Sequence, residues 1–168
     1  LENIDQTIPG SVVTVINEGS RCFLVEIQSL LNKTVFGMPQ RKASGYDNNR
    51  LQLILAVLSK RLGLRLNEYD IYLNIIGGLQ VKEVSVDLAI CMSIISSYKD
   101  TLLDKNSVAI GEVGLGGEVR PIPHLEKRIM EAQQLGFDKI YIPDTKVNKK
   151  TTIKLIRIKN IADLVTKK

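Results

Sequence analysis

The sequence has no tryptophan, one histidine, two cysteines and only 5% aromatic residues. Stacking of bases on aromatic side chains is therefore not its expected way of meeting a nucleic acid. Cys22 and Cys91 lie far apart, with no CxxC and only His124 to join them, so no zinc or other metal site is expected and both read as buried free thiols. His124 follows Pro123, has no catalytic partner in sequence and reads as a turn or helix-start residue. No stretch approaches the ~18 consecutive apolar residues of a membrane span. The opening LENIDQTIPG has neither a basic start nor an apolar signal core, so the chain reads as soluble and cytoplasmic, without a membrane partner. It begins with Leu1, not methionine, which points to a piece of a longer protein. GEVGLGG (Gly111 to Gly117) lacks the GxGxxG spacing and runs into another strand, and G-x-x-x-x-G-K-[ST] does not occur. A phosphate cradle needs its glycines to open a helix whose amides face the anion, so ATP hydrolysis by a P-loop is not expected of this chain.

What is present fits one globular domain over residues 1–168, with 44% hydrophobic and 24% charged residues and no low-complexity segment or internal repeat. The formal net charge of +5 is unevenly placed: Lys146 to Lys168 holds eight Lys or Arg against one acid, Asp163. A basic C-terminal edge is often only a solvated surface, so the excess alone says little about nucleic acid.

Strand and helix signals alternate. Ser11–Ile16 and Cys22–Leu31 are β-rich and joined by NEGS, which predicts an antiparallel hairpin, with Phe23, Val25, Ile27 and Ser29 opposite in direction to Leu24, Glu26, Gln28 and Leu30. A polar loop, FGMPQRKASGY, precedes a helix over Asp47–Gly63, where Asp47 caps, Leu51, Leu55 and Leu58 recur at helical spacing and Gly63 stops the run. DIYLNIIGG reads as a strand and turn, and Ser85–Tyr98 as a central helix, apolar on nearly every side. Ser107–Ile122 reads as two strands around a glycine turn. His124–Gly136 reads as an amphipathic helix with Leu125, Ile129 and Ala132 on one stripe, KIYIP and IKLIRI as short strands, and IADLVTK as a last helix. The predicted order β-β-α-β-α-β-β-α-β-β-α makes a mixed β-sheet packed with helices, of α+β class.

PGSVV, LVEIQSL, FGMPQRKASGYDNNRLQLILAVLSKRLGL, IIGGLQVKEVSVDLAI, SSYKD, GEVGLGGEVRPI and LGFDKIYIP together resemble, in order and along nearly the whole chain, the C-terminal domain of the bacterial RadA (Sms) DNA-repair family. That domain is in turn similar to the proteolytic domain of Lon, a serine–lysine peptidase. The resemblance implies a Lon-protease-like fold of ribosomal-protein type. It also implies a place in a hexameric, ATP-driven DNA motor that acts in recombination by branch migration, works with the recombinase RecA and carries a zinc finger and a RecA-like ATPase elsewhere. ATP, Mg and Zn are then cofactors of the full-length protein, with none in this fragment.

The same resemblance raises the question of peptidase activity. Lon's nucleophile stands in a stretch resembling D-G-P-S-A-G-I-A, which lays its serine on Ser85, followed here by V-D-L-A. Its lysine stands in a stretch resembling L-P-I-G-G-L-K-E-K; here the residues are R-P-I-P-H-L-E-K-R, and the lysine position falls on Glu126. A serine–lysine dyad needs a neutral amine to take the hydroxyl proton, so an acid at that position predicts no catalysis, and Asp87 adds a second anion. Lys127 is adjacent, but one helical residue turns the side chain by roughly 100°, and its expected partner is Glu131, a surface pair worth about 0.3–0.5 kcal/mol. Ser85 is then expected to cap the helix that follows, with Asp87 at the positive end of the dipole.

A domain without catalysis still has cations to offer. In QRKASGYDNNR, Arg41, Lys42 and Arg50 bracket small turn-forming residues, and Lys82 and Arg120 each follow a glycine pair. Arg50 near a helix start is disfavoured by ~0.3–1 kcal/mol unless an anion compensates; that anion is either Asp47 or a DNA phosphate. These five residues are the candidate contacts to double-stranded DNA, independent of base sequence. The alternative role is pure assembly, with apolar edges such as IKLIRI meeting a neighbouring copy in a ring.

Overall fold

The computed structural model describes residues 6–35 and 37–166. Its backbone is a seven-stranded mixed sheet with helices on both faces. Strands β1 (Val12–Glu18) and β2 (Arg21–Lys33) form the expected antiparallel hairpin, with Val12 opposite Ile27 and Glu18 opposite Arg21. The predicted alternation holds: Val25, Ile27 and Ser29 are buried on one face of β2, while Leu24, Glu26 and Gln28 are only partly covered on the other. β3 (Arg41–Ser44), β4 (Tyr69–Ile75), β5 (Ser107–Ala109), β8 (Lys139–Pro143) and β9 (Lys154–Ile158) complete the sheet in the order β3-β4-β2-β1-β5-β8-β9; between β5 and β8 in sequence, β6 (Glu112–Val113) and β7 (Val119–Arg120) pair as a separate small hairpin.

Three expectations are corrected. The α+β label gives way to an α/β arrangement, because four of the six pairings in the large sheet are parallel, and parallel neighbours need crossovers that place connecting chain on the faces. Residues 41–44, expected in a loop, form β3 beside β4, with Arg41 opposite Ile71 and Ser44 opposite Asn74. The strands of Ser107–Ile122 do not form one hairpin: β5 joins the large sheet and only β6 and β7 turn on each other.

Helix α1 (Asn48–Leu62) starts and stops as its sequence dictates. The Asp47 carboxylate accepts from the Asn49 amide at 3.1 Å, and Gly63, at φ 68°, donates to the Ser59 carbonyl at 3.0 Å. Helix α2 (Asp87–Lys99) is buried from Asp87 to Ser96, packed on β1 and β2 with α1 against it. Its polar side chains are satisfied inside: Ser93 shares a hydrogen bond with Ser29 at 2.7 Å, and Ser96 accepts from the Gly10 amide at 2.9 Å. Helix α3 (Leu125–Gln134) covers the opposite face, where Ile129 and Ala132 pack with Val13, Val15, Val108, Ile140 and Ile142. The last helix is described over Asp163–Thr166 (α4), and Lys167, at the end of the expected helix, lies outside the described residues.

One glycine controls how the segment before α2 is held. Gly45 has φ 86°, and a Cβ there would sit 2.5 Å from the Leu79 carbonyl oxygen and 2.8 Å from Ile75 Cβ. Its carbonyl accepts from the Val81 amide at 2.8 Å, pinning the run that leads to Ser85. Gly45→Ala is expected to cost about 1–3 kcal/mol through strain at positive φ, plus displacement of that run. Urea denaturation measures the loss.

Candidate functional site

Ser85 lies in a single 3-10 turn, Val84–Val86, that feeds α2. The turn is fixed by the segment after β5: the Gly111 amide donates to the Ser85 carbonyl at 2.8 Å, and the Leu88 amide donates to the Gly111 carbonyl at 3.0 Å. The residue is only 2% exposed. Its hydroxyl donates to the Glu83 carboxylate and accepts from Arg128 Nη1 at 3.1 Å. The expected cap is therefore not made. No side chain caps α2 at its start, which falls at Asp87 and not at Ser85.

Arg128 reaches this point from α3 and is itself 2% exposed. Its Nε donates to the Pro123 carbonyl at 3.1 Å, and its Nη1 donates to the Val15 carbonyl at 2.8 Å and pairs with Glu83. Glu83 also accepts from the Asn17 amide at 3.3 Å. The guanidinium thus ties α3, β1 and the turn of Ser85 into one buried knot. Arginine is always protonated and has no acceptor, so the side chain beside the serine oxygen is unable to take its proton.

The residue at the expected lysine position points elsewhere. The Glu126 carboxylate accepts from the Asn148 amide at 2.7 Å, in the crossover between β8 and β9. Lys127 does not pair with Glu131; its Nζ donates to the Ser20 carbonyl at 2.6 Å and lies 3.5 Å from Asn17 Oδ1, closing the β1–β2 turn.

A second buried cluster lies at the start of α2. Asp87 is fully buried and accepts from Tyr46 Oη at 2.9 Å, from the Val113 amide at 3.1 Å and from Arg50, whose Nε is 3.3 Å away and whose Nη2 makes the ion pair. Arg50 Nη2 also donates to the Val113 carbonyl at 3.3 Å. The hydrogen bond to Asp87 raises the Arg50 pKa, and burial, reinforced by Asp87, pushes the Tyr46 phenol up. Arg50 therefore has an anion, and it is Asp87, 37 residues along the chain, instead of its neighbour Asp47. Burial also raises the Cys91 thiol pKa, which makes that residue inert. Cys22 is free as expected but only partly buried, with its Sγ 3.5 Å from Asn17 Oδ1.

The five candidate cations fall in different settings. Arg41 donates to Gln52 Oε1 at 3.3 Å and to the Leu66 carbonyl at 3.4 Å, whereas Lys42, next along β3, is exposed and alternates to the other face of the strand. Arg50 and Lys82 line one cleft with Tyr46, Asp47, Gln80, Val81, Glu83 and Val84. Lys82 is exposed, and so is Arg120 on β7. The β6–β7 hairpin meets Arg50 through Val113 and pairs Arg120 with Glu112.

Sequence reasoning missed Arg128 altogether, although a signal was present. Arg128 stands at the i+3 position from Leu125 and next to Ile129, on the apolar stripe of α3. A charge in that stripe must meet an opposite charge or hydrogen-bonding groups inside the fold. Asp87 carries the same signal, since it lies between Val86 and Leu88 in a helix that is apolar all round.

Residues 25–146 match the family model described as subunit ChlI of Mg-chelatase. The chain is similar to proteins named DNA repair protein RadA: 41% identical over 97% of its length to one from Halalkalibacterium halodurans, and 45% over 92% to one from Bacillus subtilis. It is 39% identical over 96% of its length to another from Escherichia coli. It spans about a third of these relatives, 36%, 34% and 36% of their respective lengths. Among the described residues, no helix is long and apolar enough to cross a membrane and no group of His, Cys, Asp and Glu is arranged to hold a metal ion.

Proposed function

Because the chain belongs to the family described as subunit ChlI of Mg-chelatase and is similar along 97% of its length to a protein named DNA repair protein RadA, we propose that it is a DNA-repair module without peptidase activity. In this reading it is the Lon-like domain of a RadA-type motor. It helps hold the motor's subunits in a hexameric ring and contacts the double-stranded DNA backbone while ATP drives branch migration. In this reading, ATP hydrolysis, magnesium, zinc and the partnership with RecA belong to the parts of such a motor that this chain does not span.

The observation that carries the non-peptidase part is the contact between Arg128 and Ser85. Hydrolysis by a serine–lysine dyad needs an amine that gives up its charge before the reaction. Here the serine oxygen faces a permanent cation and its proton faces a carboxylate. The buried shell around Ser85 acts as a structural joint.

The DNA part is supported by the exposed Lys42, Lys82 and Arg120. None of these takes part in an ion pair among the described residues. Arg41 and Arg50 are held by internal partners and serve the fold in this reading. Each phosphate contact adds about 0.9 to the slope of log K against log salt. The triple variant Lys42→Ala, Lys82→Ala, Arg120→Ala is expected to lower that slope by about 2–3 in duplex binding followed by fluorescence anisotropy. An unchanged slope removes these residues from the interface.

A further inference from the structure

The strongest concentration of positive charge lies on the last crossover and edge strand, which β7 meets where the Val119 amide donates to the Lys159 carbonyl at 2.9 Å. Residues 144–159 carry Lys146, Lys149, Lys150, Lys154, Arg157 and Lys159, all exposed, against the single acid Asp144. Only Lys159 has an ion pair among the described residues, to Asp144 at 3.7 Å. Of the other acids nearby, Asp163 accepts from the Lys159 and Asn160 amides at 3.1 and 3.3 Å, Glu126 accepts from the Asn148 amide at 2.7 Å, and Asp104, within electrostatic reach of Lys154, pairs with Lys139 at 3.4 Å.

This charge is mounted on an ordered platform. Val147 and Ile153 are anchored in the core on the α3 side, and Gln133 Oε1 accepts from the Thr152 and Ile153 amides at 2.7 and 3.3 Å. Arg157 Nε donates to the Thr145 carbonyl at 3.2 Å, which joins the start of the crossover to β9. β9 is the edge of the sheet, paired only with β8. Along β9 the side chains alternate, so Lys154 stands on the face of Ile156 and Ile158 and Arg157 on the face of Leu155. The edge thus presents cations on both sides of its backbone, and each strand of a duplex offers a phosphate about every 3.4 Å of its axis to meet them.

We infer that the β8–β9 crossover and the β9 edge form a second surface for the phosphate backbone of duplex DNA, separate from the cleft of Lys82. Residues 144–159 contain no aromatic side chain but do contain Thr145, Asn148, Thr151 and Thr152. That composition suits hydrogen-bonded and ionic contact to phosphates and offers nothing for unpaired bases to stack on. The inference rests on the reading that this chain meets DNA, and it states where the densest contact lies.

The test uses the 168-residue chain and a fluorescein-labelled duplex of mixed sequence. In one variant Lys146, Lys149 and Lys150 become alanine; in the other, Lys149 and Lys150 become glutamate. None of these side chains makes a hydrogen bond or ion pair among the described residues, so thermal unfolding should match the parent. The alanine variant is expected to lower the salt slope by about 2–3 and weaken binding at ~100 mM salt about tenfold or more. The glutamate variant should weaken it further, and the loss should add to that of the Lys42, Lys82 and Arg120 variant. Parent-like duplex binding in both crossover variants, with binding lost in the Lys42, Lys82 and Arg120 variant, overturns this inference and leaves the proposed function standing. Loss of binding to polyglutamate with duplex binding intact assigns the surface to an acidic protein and also overturns it. A parent chain that binds no duplex overturns both.

Discussion

Asp87→Ala will lower the stability of this protein by about 3–5 kcal/mol, the usual result of leaving one member of a buried ion pair without the other. The carboxylate is fully buried and serves Tyr46, Arg50 and the Val113 amide together. Its removal strands the charge of Arg50, whose side chain is 23% exposed, a buried phenol and a backbone amide in one place. For a chain of this length the loss corresponds to a fall in Tm on the order of 10 °C. Urea denaturation should show a lower midpoint with an unchanged slope. Adding Arg50→Met should return part of the loss, because the stranded charge is then gone. A single-variant loss below about 1 kcal/mol would mean that the cluster is not closed around Asp87 and would overturn the buried-pair account.

Arg128→Ala is the second large effect, at about 3 kcal/mol, near the low end of the range for broken buried pairs. The low end applies because the Glu83 side chain is 27% exposed and rehydrates when its partner is lost, whereas that of Arg128 is 3% exposed. The Val15 and Pro123 carbonyls also lose their donor. Arg128→Lys keeps the charge but not the fork of donors, and is expected to recover less than half of that loss. It places an amine toward Ser85, yet the Glu83 carboxylate holds such an amine in its charged form. Casein incubated with this variant should therefore remain intact. Cleavage that vanishes on adding Ser85→Ala would show that a working dyad is one substitution away and would overturn the electrostatic account of the site.

Local features were legible because their causes lie within a few residues. Asp47 and Gly63 bound α1 by hydrogen bonds to residues two and four positions away, and alternation along Cys22–Leu31 follows from the pleat of a single strand. β3 was not legible, since RKAS has neither apolar alternation nor β-branched residues and becomes a strand only by lying parallel to β4. The same distinction separates Lys127 from its expected partner: helical spacing offered Glu131, but the β1–β2 turn brought the Ser20 carbonyl closer.

The site divides in the same way. The sequence by itself determined that Glu126 stands in the stretch where the resemblance to Lon expects a lysine, that the motif G-x-x-x-x-G-K-[ST] does not occur and that positive charge gathers toward the C-terminus, because these are read from residue identity and order. Only the tertiary structure decided that Arg128 occupies the space beside Ser85, that Arg50 answers Asp87 and that Glu126 turns toward the β8–β9 crossover. The physical reason is that a buried charge takes whichever opposite charge or hydrogen-bonding group the packing of distant elements brings within reach. That choice is made across the 43 positions that separate Arg128 from Ser85, where no local spacing rule operates.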